Sequence, residues 1–378
     1  MKIGIDARGI NLYRGSGIGT YTENVTRELL NIDSENSYTL YWYGTDYKSF
    51  KKSNCKINII SKGHHNFFED GYLPYNIIKN NIDIYHIPQN GIGLNEDLSC
   101  IKITTIHDLI PYVMPETVGK GYLLKFLKSI PMIVEKSDAI ITVSEYSKKD
   151  LLKFFPINPD KIYVTPLAAN SHYKILNKEY CSSYLLNNYN INNKFILYIG
   201  GFSPRKNVKA LMYAFSKIKN SFLSPINLVI VGSNKDDLNN LKILCSKLKI
   251  SKDVIFTGYV KESELPIFYN ACEVFVYPSL YEGFGLPPLE AMSCGAPVIT
   301  SNITSIPEVV GDCGILIDPF KSSQIENALW KVLNDETLRN ALIAKGLKNS
   351  ADFSWKKTAE KTLNVYNDVY EKQQIKTC

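Results

Sequence analysis

Short runs of apolar and β-branched residues alternate with longer amphipathic segments along nearly the whole chain. This alternation is typical of βαβ units that build parallel sheets. The runs predict seven strands in the first half of the chain and six in the second, and the two series begin at Lys2–Asp6 and Phe195–Ile199. The tail from Ser322 to Lys372 is predicted to be helical.

A polar stretch divides the series in two. Residues 170–194 are rich in Asn, Ser and Tyr, and they interrupt the alternation. A chain of 378 residues is long enough for two domains of ordinary size. We therefore predict an α/β protein with two doubly wound, Rossmann-like domains, at residues 1–175 and 195–355, with a linker at residues 176–194.

The composition is that of a globular protein with a mild positive charge. Lys plus Arg number 43 and Asp plus Glu number 37, an excess that suits anionic ligands or an acidic membrane surface and does not indicate nucleic acid. The eight cysteines form no C-x-x-C pair and are predicted to be reduced thiols. Because no segment resembles a signal peptide or a membrane span, we expect a cytoplasmic protein.

A glycine-rich loop follows the first predicted strand. Gly15, Gly17 and Gly19 have G-x-G-x-G spacing, which departs from the dinucleotide fingerprint G-x-G-x-x-G and lacks the ending of a P-loop. Glycines ahead of a helix allow the backbone to approach an anion closely. The loop therefore either faces a phosphate or simply turns the chain.

A histidine follows the apolar strand predicted at Ile101–Ile106. In an open parallel sheet, ligands bind beyond the carboxyl ends of the strands. His107 occupies such a position and can hydrogen-bond a hydroxyl or a phosphate. A structural histidine with satisfied hydrogen bonds is the alternative.

Two adjacent cations follow the first strand of the second series. Arg205 and Lys206 come after paired glycines and directly before a predicted helix. An arginine fork next to a lysine point charge suits a diphosphate. A solvated basic loop is the alternative at this position.

The most specific pattern lies at residues 281–292, YEGFGLPPLEAM. A strand ends before it, a glycine turn follows, and prolines open a helix. Glu282 precedes the turn and Glu290 lies in the helix, so both carboxylates can reach one pocket, where they would accept hydrogen bonds from sugar hydroxyls. A carboxylate that only favours the helix dipole would account for Glu290 alone.

Several other chemistries lack their signatures. The chain has no D-x-D sequence that would hold a divalent metal on nucleotide phosphates, no G-x-S-x-G elbow and no H-E-x-x-H sequence. The expectation is therefore a site without a metal and an enzyme without a cofactor.

Together these residues resemble the retaining glycosyltransferases of family GT4, which have the GT-B fold and an E-x7-E motif. Both halves of the chain carry the resemblance, in the family's order. Its elements are Glu282 to Glu290, GGFSPRKN at 200–207, IGIDAR and GSGIGTYTENV within 3–25, IHDLIP at 106–111 and ITVSEYSK at 141–148. The resemblance implies two Rossmann-like domains facing a cleft, with a last helix at 356–378 that crosses back to the first domain.

The resemblance also implies a role for each candidate residue. Arg205 and Lys206 would bind the donor diphosphate, and Glu290 would hold the ribose hydroxyls. Glu282, with the backbone that follows it, would face the donor sugar, and His107 would contact the sugar near its 6-hydroxyl. The remaining donor contacts would come from Gly15, Gly17 and Gly19, from Tyr259 and Val260 near the base, and from Gly283, Phe284, Gly285 and Leu286 beside Glu282.

The branch that the chain resembles includes bacterial mannosyltransferases of surface polysaccharides. It implies GDP-mannose as the donor, with a UDP-sugar such as UDP-glucose as the alternative, and a glycan or lipid-linked acceptor. It also implies front-face substitution, in which the donor phosphate takes the acceptor proton.

Other classes stay open at this point. A nicotinamide-dependent oxidoreductase is also built from doubly wound sheets, and a non-catalytic nucleotide-sugar-binding protein would share the fold. The segment Gly119–Lys136 mixes lysines with leucines, so it predicts either a helix that docks on an anionic membrane or one that packs on the sheet, interrupted by Pro131.

Overall fold

The computed structural model describes residues 1–61, 67–222, 224–232 and 235–377, without the side chains of residues 235, 236, 376 and 377. The chain forms two compact units. Residues Met1–Leu167 and Ser354–Cys378 make up the first, and residues Ala168–Phe353 make up the second.

The first unit is built on a seven-stranded parallel sheet in the order β3-β2-β1-β4-β5-β6-β7. The strands are β1 (Lys2–Asp6), β2 (Ser37–Trp42), β3 (Cys55–Ile59), β4 (Ile84–Ile87), β5 (Ile101–Thr105), β6 (Ala139–Thr142) and β7 (Ile162–Val164). The central strands are continuous apolar runs because helices cover both of their faces. Ile3, Ile84 and Ile103, for example, are fully buried.

Seven α-helices belong to the described part of the first unit. They are α1 (Arg8–Leu12), α2 (Gly17–Ile32), α3 (Leu73–Asn80), α4 (Ile110–Val113), α5 (Lys120–Lys136), α6 (Glu145–Phe154) and the last helix, α15 (Trp355–Thr377). Helix α15 packs on α2 and β6. The Thr358 hydroxyl donates to the Pro166 carbonyl at 2.6 Å, and His86 Nδ1 lies 2.7 Å from the buried Tyr366 hydroxyl. These bonds tie the C-terminal helix to the first sheet.

The second unit contains a six-stranded parallel sheet in the order β10-β9-β8-β11-β12-β13. The strands are β8 (Lys194–Ile199), β9 (Ile226–Val231), β10 (Val254–Gly258), β11 (Val274–Tyr277), β12 (Val298–Ser301) and β13 (Ile315–Ile317). The helices are α7 (Lys178–Tyr189), α8 (Val208–Ile218), α9 (Lys235–Lys247), α10 (Leu265–Ala271), α11 (Leu286–Ser293), α12 (Ile306–Val310), α13 (Ser322–Asn334) and α14 (Glu336–Ser350). The prediction of two doubly wound parallel sheets is confirmed.

The strand order of each sheet defines its switch point. The chain leaves β1 toward β2 and β3 on one side, and later fills the other side from β4 onward. In the second sheet the same reversal falls between β8 and β11. Loops that follow two adjacent strands at such a reversal diverge and leave a crevice at the carboxyl edge.

The predicted linker was wrong in its extent and its structure. Residues 178–189 form α7, whose Cys181 and Leu185 are buried and which packs on α10. Asn177 caps the helix by accepting a hydrogen bond from the Tyr180 amide at 2.8 Å. This helix was not predicted because its sequence is rich in Asn and Ser and only two of its side chains are buried.

The predicted domain boundary at residue 175 lies too late in the chain. The second unit begins at Ala168, and the Asn270 side chain binds residues on both sides of the predicted boundary. Its oxygen accepts from the Leu176 amide at 2.7 Å, and its nitrogen donates to the Lys174 carbonyl at 2.9 Å. The segment before α7 is therefore bound to α10 of the second unit.

Two further sequence expectations concern α5 and the membrane. Pro131 was expected to interrupt the helix at Gly119–Lys136, but α5 continues through it, with the proline on the exposed side of the helix. Within the described ranges, the structure holds no helix that combines the length and apolar character of a bilayer-crossing segment.

Candidate active site

The loops after β8 and β11 meet at the switch point of the second sheet. After β8, a short 3-10 turn at Pro204–Lys206 carries the two cations. The Leu280 amide, in the loop after β11, donates to the Arg205 carbonyl at 2.7 Å. Asn207 has a left-handed backbone with φ of 56° and donates to the Pro319 carbonyl at 2.7 Å. The position of the cation turn is therefore fixed by contacts on both sides.

One carboxylate oxygen accepts hydrogen bonds from four side chains in this crevice. Glu282 Oε1 lies 2.8 Å from Arg205 Nη1 and 2.7 Å from Lys206 Nζ. The hydroxyls of Tyr277 and Ser279 donate to the same oxygen. The Arg205, Lys206 and Glu282 side chains are each at most 15% exposed, so the cluster is largely shielded from water.

The cations keep Glu282 ionised. Burial alone would raise the pKa of Glu282, but the charges of Lys206 and Arg205 and the hydrogen bonds from Lys206 and Ser279 outweigh it and lower the pKa to about 2. Two cations then face one carboxylate, and the cluster keeps a net positive charge at neutral pH. Such a cluster attracts an anionic ligand.

The start of α11 adds a backbone contribution. The glycine turn ends at Gly285, which adopts φ of 131°, a backbone conformation that L side chains rarely adopt, and a Cβ here would lie 2.9 Å from Ile306 Cδ1. Leu286 then opens the helix, and the two prolines that follow lack N–H groups. The Leu289 amide donates to the Gly285 carbonyl at 3.3 Å, which leaves the Leu286 amide as the first-turn N–H group for an anion at this end.

Two residues that follow β12 hydrogen-bond to the backbone of this turn. The Ser305 hydroxyl lies 2.8 Å from the Glu282 carbonyl and 2.7 Å from the Phe284 carbonyl, while the Gly283 that separates them is buried. The Glu282 amide donates to Thr304 Oγ1 at 3.4 Å. Thr304 adopts φ of 60°, which is unusual for a β-branched residue. Nothing local in the sequence indicated that Thr304 and Ser305 contact this turn.

Glu290 has an environment opposite to that of Glu282. The hydroxyls of Tyr269 and Tyr173 hydrogen-bond to its carboxyl group, the former at 3.1 Å. Burial raises the pKa of Glu290 to about 7, and the charge of Glu262 adds to this rise, while the tyrosine hydrogen bonds oppose it. Glu290 can therefore exchange a proton near neutral pH.

The predicted base contacts follow β10. Tyr259 is 75% exposed and Val260 is buried. The tyrosine ring is available to stack on a ligand, whereas the valine side chain belongs to the core.

His107 lies in the first unit, at the carboxyl end of β5. Its Nε2 lies 2.8 Å from the Pro88 carbonyl, and because a carbonyl only accepts, Nε2 carries the proton and Nδ1 keeps the lone pair. Burial lowers the pKa of His107 to about 4, and the edge of Tyr21 packs on the ring at 4.8 Å. The histidine is therefore neutral, and its Nδ1 can accept a hydrogen bond.

Backbone geometry explains why two residues of the glycine loop in the first unit are glycines. Gly15 adopts φ of 77°, and a Cβ on Gly19 would lie 2.3 Å from the Tyr13 carbonyl. Helix α2 begins at Gly17, and Ser16 caps it by accepting from the Gly19 amide at 3.3 Å. Turning the chain thus accounts for Gly15 and Gly19, and a phosphate role stays a prediction.

A buried ion pair at the end of β1 was not predicted from the sequence. Arg8 contacts Asp6 through two hydrogen bonds of 2.8 and 2.7 Å, and a third atom, Nη1, lies 3.1 Å from Glu69. The guanidinium also lies over the Phe68 ring at 4.2 Å. The signal was present in the sequence, because Asp6 ends β1 and Arg8 follows it at the first switch point.

The chain matches two family models that together cover most of its length. The model described as "Glycosyltransferase Family 4" matches residues 15–171, and the model described as "Glycosyl transferases group 1" matches residues 187–349. The first match falls on the first unit and the second on the second unit, apart from a few residues at the boundary.

Individual relatives agree with these matches. The O-antigen chain mannosyltransferase B of Escherichia coli is 35% identical over 264 residues, which cover 70% of this chain and 69% of that protein. The serotype-specific mannosyltransferase WbdA of Escherichia coli is 32% identical over 72% of this chain, and this chain spans about a third of its length, 34%. A sucrose-phosphate synthase from Thermosynechococcus elongatus shares the fold, with a TM-score of 0.75 at 20% identity over 98% of this chain and 99% of that one. This chain belongs to the family 4 glycosyltransferases of the GT-B fold and is a glycosyltransferase.

Proposed function

We propose that this glycosyltransferase transfers mannose from GDP-mannose to a glycan or lipid-linked acceptor, with retention of configuration, in the synthesis of a surface polysaccharide. The names of the two Escherichia coli relatives support mannose as the sugar. The observation that carries the nucleotide-diphosphate part is the pair Arg205 and Lys206, held on one carboxylate beside the start of α11.

The cation pair suits a diphosphate leaving group. When the bond between the sugar C1 and the phosphate oxygen breaks, negative charge grows on the diphosphate. Arg205 and Lys206 are already oriented by Glu282, so they stabilise this charge without rearranging. Arg205 and Lys206 together supply the positive charge that a metal ion would otherwise provide. This supports the proposal that the enzyme requires no metal cofactor.

The remaining parts of the donor have candidate contacts. Glu290 would accept hydrogen bonds from the ribose hydroxyls, and the exposed Tyr259 ring would stack on the base. The turn from Glu282 to Leu286 would face the sugar. The contact of His107 with the sugar 6-hydroxyl is part of the proposal, and its neutral state with a lone pair on Nδ1 supports it.

For the retaining step we adopt front-face substitution. The C1–phosphate bond breaks while the acceptor oxygen bonds C1 on the same face. The acceptor proton moves to the departing phosphate oxygen, so atoms and charge balance. Mass spectrometry that detects a sugar bound covalently to the protein during turnover would contradict this step.

A donor panel tests the proposed function. Purified protein is mixed with GDP-mannose, UDP-glucose or NADH, each with magnesium or with EDTA, and nucleotide release is followed by liquid chromatography. We expect slow GDP release from GDP-mannose that EDTA does not change. Release from UDP-glucose alone would favour the alternative donor. Release of nucleotide from neither GDP-mannose nor UDP-glucose would contradict the proposed donors.

The acceptor side of the proposal concerns α5. Leu124 is 69% exposed, and Lys120 and Lys128 lie one turn to either side on the same exposed face. Basic residues around an exposed leucine favour an anionic lipid surface, where a lipid-linked acceptor would reside. Co-sedimentation with anionic vesicles is expected, and Leu124→Ser should reduce it. Equal pelleting with neutral vesicles would contradict the electrostatic part.

A further inference from the structure

Glu262 is a carboxylate that the proposed function does not yet use. It lies three residues after Tyr259 and two after Val260, and it begins the 3-10 turn Glu262–Glu264. Its side chain is 47% exposed. Its Oε1 accepts from Asn170 Nδ2 at 2.8 Å and lies 3.7 Å from His172 Nε2. These contacts fix the position of the carboxylate.

Glu262 lies close to the carboxylate proposed for the ribose. Asn170 and His172 contact Glu262, and Tyr173, the next residue, hydrogen-bonds to Glu290. The segment from Asn170 to Tyr173 spans at most about 10 Å, and its residues contact both carboxylates. The electrostatic effect of Glu262 on Glu290 agrees with this short distance. A nucleotide whose ribose contacts Glu290 and whose base stacks on the exposed Tyr259 would have that base within reach of Glu262, three residues further along the chain.

The chemistry of a fixed carboxylate selects among bases. An ionised carboxylate only accepts hydrogen bonds. Guanine presents two adjacent donors, N1–H and the 2-amino group, and these match the two oxygens of a carboxylate. Uracil presents one N–H between two carbonyl oxygens, which would repel the same group.

We propose that Glu262 accepts hydrogen bonds from N1–H and the 2-amino group of guanine, and so selects a GDP-linked donor over a UDP-linked one. This inference rests on the proposed function, because it assumes that a nucleotide sugar occupies the site. It names a specificity-determining residue and the base that it recognises.

The test compares GDP, IDP and UDP by titration calorimetry on the full chain. IDP has N1–H but lacks the 2-amino group, so it isolates one of the two hydrogen bonds. Wild-type protein should bind GDP about tenfold or more tightly than IDP, which is the size of one hydrogen bond to a charged group, and should bind UDP still more weakly. In Glu262→Gln the preference for GDP over IDP should fall toward unity.

A matched control lies two residues away. Glu264 belongs to the same turn, but its carboxylate accepts from Tyr189 at 2.6 Å. Glu264→Gln should keep the wild-type ratio of GDP to IDP affinity. Circular dichroism and melting temperature establish that both variants fold.

The outcomes separate this inference from the proposed function. Binding of UDP as tightly as GDP, or an unchanged GDP to IDP ratio in Glu262→Gln, would overturn the guanine assignment and leave the transferase intact. Failure of all three nucleotides to bind would overturn the proposed donor class and this inference with it.

Discussion

At the scale of single residues, two carboxylates of one motif differ in their protonation. Glu282 sits against two cations, which lower its pKa to about 2, and Glu290 sits among tyrosines and near Glu262, with a pKa of about 7. Both differ from the ordinary glutamate value of 4.5. The sequence showed the two residues and their spacing, but the opposite environments come from partners that lie elsewhere in the chain.

The raised pKa of Glu290 predicts a pH dependence of stability. A carboxyl group whose pKa is higher in the folded state favours folding below its ordinary value and loses that contribution as pH rises from about 4.5 to about 7. Glu290→Gln resembles the protonated form at every pH. Its melting temperature should therefore equal that of the wild type near pH 4.5 and exceed it by several degrees above pH 7.

Thermal melts of both proteins across this range check the prediction. Glu282 titrates in the opposite sense, because its contribution is present above about pH 4.5 and is lost as pH falls toward about 2. It is common to both proteins and cancels in the difference. Parallel pH profiles for wild type and Glu290→Gln would show that Glu290 is ionised in the folded state.

At the scale of elements, the turn from Glu282 to Leu286 depends on the loop after β12. Thr304 and Ser305 come just before α12 and contact the backbone of Glu282 and Phe284. A serine hydroxyl has one proton, so Ser305 shares it between the two carbonyls. These residues position the turn at the start of α11.

Ser305→Ala should therefore loosen the turn. Two buried carbonyls would lose their donor, and the free energy of unfolding should fall by about 1–2 kcal/mol. The KM for the donor should rise more than kcat falls, because the turn would still reach its geometry once the donor is bound. Urea unfolding and steady-state kinetics measure the two effects.

The control is Ser293, at the other end of α11, whose hydroxyl donates to the Leu289 carbonyl at 2.9 Å. Ser293→Ala should leave the KM unchanged. A kcat that falls while KM stays constant in Ser305→Ala would indicate that Ser305 acts in the chemical step.

The elements also show how far the sequence could predict the structure. All thirteen strands were predicted to within two residues at each end, because buried parallel strands are continuous apolar runs. Helix α7 was missed, since its two buried side chains do not form a visible period. Tyr173, Thr304 and Ser305 could not be assigned to the site, because only tertiary packing brings them to Glu290 and to the α11 turn.

At the scale of the whole molecule, one architecture is used twice. Each unit has a parallel sheet with a reversal of strand order, and each places charged residues at that reversal. In the first unit the one cation, Arg8, contacts two carboxylates, Asp6 and Glu69, whereas in the second unit two cations contact one carboxylate. The second unit therefore suits an anionic donor.

The claim that Arg205 and Lys206 stabilise the departing diphosphate is tested most directly by the turnover of Lys206→Ala against Lys209→Ala. Lys209 is an exposed lysine in the first turn of α8, three residues away, and it serves as the charge-matched control. With GDP-mannose as the donor, we expect kcat to fall about a hundredfold or more in Lys206→Ala, because the lost charge acts on the transition state. Lys209→Ala should behave as the wild type. Equal turnover in the two variants would contradict the account.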